Sequence, residues 1–150
     1  MEQLFNMFIF CVIASLVVAK LEINIEGSEG WAKNLPTWRI KNRLTRLFVG
    51  NQYFTGYHFW LIIVLLTFLQ FPFFIGVHWG LSMELKIIGM FWLAVLMEDF
   101  FWFLLNPSFG IKKFNKKYAY WHLGWIGFIP TIYFKYFFLT SSLLLLSYFV

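Results

Sequence analysis

The chain has 150 residues and a formal net charge of +5, with hydrophobic residues at 61 % and charged ones at 13 %. A soluble domain carries roughly a quarter charged residues, and no water-soluble fold of this length hides so much apolar surface. The length suits one domain whose solvent is lipid, and nucleic acid is excluded as a partner because the placement of the basic residues, not their sum, explains the charge.

The first apolar run goes from Leu4 to Ile25. Glu2 precedes it and no Lys or Arg does, so it reads as a retained spanning helix rather than a cleaved leader. Cys11, the lone cysteine, has no partner for an intrachain disulfide or a CxxC site. At the far end, Glu22 and Glu26 sit one turn apart, where like charges repel and the helix dipole disfavours anions. Something positive is expected beside them: a metal ion, a cation such as Arg39 or Arg43, or a proton. Gly27-Ser28-Glu29-Gly30 then supplies turn chemistry. The surrounding EGSEGWAKNLPTWR (26–39) is distinctive in wording but carries no activity motif.

From Pro36 to Phe48, Ile40, Leu44, Leu47 and Phe48 fall on one helical face and Lys41, Asn42, Arg43 and Arg46 on others. Within the interfacial segment 31–50, this pattern predicts a basic amphipathic helix on the cytoplasmic leaflet. Arg39, Lys41, Arg43 and Arg46 are the candidates for holding anionic lipid head groups.

The second apolar run covers 58–78, bracketed by GYHFW and GVHWG. The third covers 87–106 and stops at Asn106-Pro107, since a residue before proline avoids helical backbone. The fourth covers 121–150, with a kink expected at Pro130. The predicted fold is an all-α, polytopic membrane protein: a four-transmembrane-helix bundle over 1–150, with the interfacial helix between helices 1 and 2.

Apart from Lys20, Lys86 and Lys135, every Lys and Arg lies between runs one and two or between runs three and four. Alternate loops share a side, so the positive-inside rule puts both basic loops in the cytoplasm and both termini outside, in a multi-pass protein of the cell membrane. Glu22, Glu26, His58 and His122 then lie at the cytoplasmic end of their runs. Glu98 and Asp99 lie roughly 10–12 Å below that end of run three, a depth that follows from about 1.5 Å of rise per residue. Each acid carried into the membrane costs roughly 2.5–3.5 kcal/mol on insertion scales, so the group points to function. His58 and His78 stand about 30 Å apart on a straight helix and cannot share a ligand; His78 reads as an interfacial residue.

Candidate metal ligands are Glu22, Glu26, Asp99, His58 and His122, a set suited to iron, manganese or zinc. Haem between His58 and His122 is disfavoured because both sit at the membrane edge. Candidate catalytic groups are Asp99, Glu98 and His122. Adjacent helical residues point about 100° apart, so Asp99 is expected to face the bundle interior with Asn106, and Glu98 to meet Lys135 on a neighbouring helix. No Glu-x-x-His pair, HExxH or HxxxH cluster accompanies them.

Three readings follow. The first is a cytoplasm-facing carboxylate and histidine site that binds or acts on a lipid or another apolar molecule. Its apolar compartment would be lined by the aromatic residues, which make up 24 % of the chain. The second is an accessory subunit packed on a larger membrane complex or on copies of itself. The third is a proton- or ion-coupled transporter using Glu98, Asp99 and Lys135.

Overall fold

In a computed structural model, residues 2–150 are described and are mostly helical. Helix α1 spans Glu2–Glu26. A two-residue strand β1, Arg39–Ile40, precedes α2, Arg43–Val49, and pairs antiparallel with β2, Phe54–Thr55. Helix α3 spans Gly56–Leu69, α4 Phe71–Phe74 and α5 Leu81–Leu105. A 3-10 turn at Ile111–Lys113 and a small hairpin of β3, Trp125–Ile126, with β4, Ile129–Pro130, lead to α6, Thr131–Leu146. Helices α1 and α5 are long and apolar enough to cross a membrane; α3 and α6 are apolar but shorter.

Helix α5 is the axis of the fold, with α1 and α6 packed along it. Towards the start of α5 the packing relies on small residues and hydroxyls. The Ser15 hydroxyl lies 2.7 Å from the Cys11 carbonyl and 3.1 Å from that of Ala94. Thr140 donates to the Gly89 carbonyl at 3.0 Å, and a Cβ on Gly89 would touch Leu144 at 3.4 Å. Close backbone approach with hydroxyl bridges is how helices associate where no hydrophobic effect drives them together. Towards the end of α5, Trp102 and Phe103 pack with Ala19 and Ala119, and Phe103 stacks on Trp121 with centroids 5.6 Å apart.

Helix α3 stands apart from α5 and α6, packing mainly against β2 and α4. The space left between it and α1 and α5 becomes the cavity described below.

Helix α5 begins at Leu81, before the predicted start of the third run at 87. Three further segments depart from the sequence expectations, each because a local feature outweighs periodicity. The helix predicted from Pro36 begins only at Arg43: Arg39 and Ile40 are drawn into pairing with Thr55 and Phe54. Asn42 then caps α2, its side chain accepting from Thr45 N–H while the Thr45 hydroxyl accepts from Asn42 N–H. The second apolar run is not one helix, because it breaks at Gln70, after which Pro72 starts the separate turn of α4. The fourth run is helical only from Thr131. Residues 121–130 form turns and the β3–β4 hairpin, and Pro130 stands at the helix N-cap rather than at a kink. Gly127, at φ 61°, turns that hairpin, and the Gly124 carbonyl accepts from Thr131 N–H at 2.9 Å.

Candidate functional site

The site begins in the loop after α1. Gly27, Gly30, Trp31 and Ala32 all have left-handed backbone, with φ of 70°, 65°, 54° and 50°. For Trp31 and Ala32 that conformation costs roughly 1–2 kcal/mol each. Side chains from three places hold it. Ala32 N–H donates to Glu26 Oε1 at 2.6 Å, and Trp31 Nε1–H to the Tyr53 carbonyl at 2.8 Å. The Arg39 guanidinium gathers the carbonyls of Ala32, Lys33, Leu35 and Thr37 at 2.6–3.1 Å. Gly30 is required for a second reason: a Cβ there would lie 2.8 Å from the Trp102 ring. The loop therefore folds back over the end of α1 and sets the Trp31 ring 4.8 Å from that of His58.

Beneath Trp31, Glu22, Glu26 and His58 bring one potential ligand atom each to within 4.8 Å of one another. Both glutamates are only 7 % exposed. His58 Nε2 lies 3.4 Å from Glu26 Oε1, and its Nδ1 lies 2.7 Å from the hydroxyl of Thr55. Thr55 is fully buried and caps α3, accepting from His58 N–H at 3.3 Å. The β1–β2 pairing and the helix cap thus aim His58 together. Glu98 approaches from α5 with its carboxyl facing Glu22, and the Tyr57 hydroxyl lies beside them. Glu98 Oε1 and the Tyr57 hydroxyl are buried without a hydrogen-bond partner among the described residues.

One residue on, Asp99 faces the other way. Tyr133, near the start of α6, donates its hydroxyl to Asp99 Oδ2 at 2.5 Å. His122 Nε2 lies 3.4 Å from the same oxygen, its side chain only 8 % exposed. The imidazole is boxed by Phe103, Trp121, Trp125 and Tyr133. The predicted roles of the acid pair are therefore corrected: Asp99 meets the neighbouring helix, while Glu98 turns towards the glutamates of α1. Lys135 is exposed and has no carboxylate within 4.0 Å among the described residues, so it is not the partner of Glu98. Arg39 and Arg43 do not neutralise the glutamates either; Arg39 spends its donors on loop carbonyls.

Both clusters open on one cavity of about 1900 Å³. Its apolar part lies between α1, α3 and α5, with Val18, Leu65, Leu66, Met90 and Ala94 among its walls. Its polar end holds Glu22, Glu26, His58, Glu98, Asp99 and His122, and Arg46, Lys113 and Lys117 also face it. Of the four basic residues expected to hold a head group, Arg39 and Arg46 line the cavity while Lys41 and Arg43 do not. Lys41 instead donates to the Asn51 carbonyl at 2.7 Å. His78 is exposed in the loop after α4, far along the chain from either cluster. The two basic loops are tied together: Asn51 N–H donates to the Trp121 carbonyl at 3.2 Å, and a Cβ on Gly50 would meet that oxygen at 2.0 Å.

No known family matches the chain, and no similar protein is found among curated sequences or solved structures.

Sequence reasoning passed over Thr55, Tyr133 and Trp31. Thr55 had a readable signal, a threonine placed just before an apolar helical run. Tyr133 and Trp31 had none, because their roles arise from helix pairing and from a strained turn.

Proposed function

We propose that this chain is a small integral membrane protein that binds an amphipathic lipid in the cavity between α1, α3 and α5, with its head group at the carboxylate and histidine end. The observation that carries this reading is the division of that cavity into an apolar stem and a polar head region crossed by basic side chains. An acyl chain suits the first and an anionic head group the second. Arg46 and Lys117 are the basic residues that would meet it, and Asp99, with Tyr133 and His122 beside it, stands where a head-group hydroxyl could exchange a proton.

In this reading the chain crosses the membrane four times, with α3 and α4 together making the second crossing and α6 the fourth. Helices of 14 and 16 residues span roughly 21 and 24 Å against a hydrocarbon core of about 30 Å, so local thinning of the bilayer accompanies them. The hydrogen bond between Asn51 and Trp121 supports a shared side for the two basic loops, which the positive-inside rule assigns to the cytoplasm.

The test is lipid retention. Protein purified in mild detergent is analysed by native mass spectrometry, beside Leu65→Trp, which fills the apolar stem, and Arg46→Glu, which reverses charge at the head region. Wild type is expected to carry one lipid, Leu65→Trp none, and Arg46→Glu to lose preference for anionic over zwitterionic lipid. A wild type free of lipid, or a Leu65→Trp variant that retains it, would overturn the reading. An accessory subunit would instead co-purify with a larger complex and carry no lipid in this cavity.

A further inference from the structure

We infer that Glu22, Glu26 and His58 bind one divalent first-row metal ion, manganese or ferrous iron, with Glu98 as a fourth ligand. Around an ion with bonds of about 2.1 Å, ligand atoms stand roughly 3.0–4.2 Å apart. The present set lies within 4.8 Å and includes a 3.4 Å pair, Glu26 Oε1 with His58 Nε2. A contraction of roughly 0.6 Å, the difference between 4.8 and 4.2 Å, closes it. Three carboxylates with one imidazole favour oxygen-seeking ions over copper.

Two observations beyond the clustering point to a cation site. Glu22 is 7 % exposed and faces a second carboxyl, Glu98, whose Oε1 is buried with no hydrogen-bond partner among the described residues. Buried acids normally find donors; these two find each other. The second is the orientation of His58. Its Nδ1 lies 2.7 Å from Thr55 Oγ1, which leaves Nε2 facing the carboxylates, the arrangement that outer-shell partners impose on metal-bound histidine. Glu26 is held in place by Ala32 N–H through Oε1, and Trp31 covers the imidazole, so the ligands are set before any ion arrives. Asp99 and His122 fall outside the set, since they form a separate cluster with Tyr133.

The site shares the cavity of the lipid reading but does not depend on it, and the two fail separately. Mn²⁺ binding is measured on detergent-purified full-length protein, with and without extracted lipid, by electron paramagnetic resonance. The expected result is one saturable site whose affinity falls 10-fold or more in Glu22→Gln and His58→Gln and is unchanged in Glu84→Gln, an acid at the opposite end of α5. Pulsed measurement on the wild type should also show coupling to a histidine nitrogen, which does not require any variant to fold. No saturable Mn²⁺ site, affinity unchanged in Glu22→Gln, or no nitrogen coupling would overturn the inference. Metal retained by a protein that carries no lipid would reject the lipid reading alone.

Discussion

The two ends of α5 solve the same problem in opposite ways. Near its start, the hydroxyls are satisfied by backbone carbonyls: Ser15 by Cys11 or Ala94, Thr140 by Gly89, Ser82 by Ser147. Glu84 alone keeps an unpartnered buried oxygen there, although its other one accepts from Gln70. Near its end, Tyr57, Glu98, Trp102, Asn106, Trp121, His122 and Trp125 all hold a buried polar atom with no hydrogen-bond partner among the described residues. In a medium without water an unmade hydrogen bond is expensive. One end is packed for association of helices, and the other holds the polar capacity that the proposed ligand would use.

Four substitutions would break or sharpen that contrast. The largest effect is expected where the polar end is stitched together. Gly50→Ala places a Cβ 2.0 Å from the Trp121 carbonyl in a backbone with φ 60°, and should destabilise by about 3 kcal/mol or prevent folding. Thermal unfolding in detergent measures it. Next, Glu98→Leu removes an unpartnered buried carboxyl, and the metal-free protein should become more stable by about 1–2 kcal/mol while Mn²⁺ binding weakens. A loss of stability without metal would mean that Glu98 has a structural partner. Tyr133→Phe removes the donor to Asp99 and should cost about 1–1.5 kcal/mol by the same melt, leaving Mn²⁺ affinity unchanged. The smallest change belongs to the satisfied end. Thr140→Val loses only the bond to Gly89, about 0.6 kcal/mol in membrane helices, with no effect on lipid or metal.

The legibility of the chain follows the range of the forces involved. Hydropathy over some 20 residues is a local property, so helices at α1 and α5 can be read directly from composition. The isolated acids and histidines were legible as anomalies for the same reason, because charge in an apolar run is costly wherever it ends up. Boundaries were less readable. The run from Trp121 is apolar enough for a helix, yet a glycine turn and the bond from Thr131 to the Gly124 carbonyl make its first ten residues a hairpin. That decision reverses the surroundings of His122, which sits in a loop packed under α5 and not at a helix start.

By itself the sequence determined that α1 and α5 are long and apolar enough to cross a membrane, that most cations gather in two loops, and that Glu22, Glu26, His58, Glu98, Asp99 and His122 stand in or beside apolar runs. Which of them meet was a tertiary matter. Glu98 and Asp99 are neighbours in the chain, but the 100° between them on α5 sends one towards Glu22 and the other to Tyr133 and His122. No pattern along the chain encodes how α5 is rotated about its own axis; the packing of α1 on one side and α6 on the other sets it.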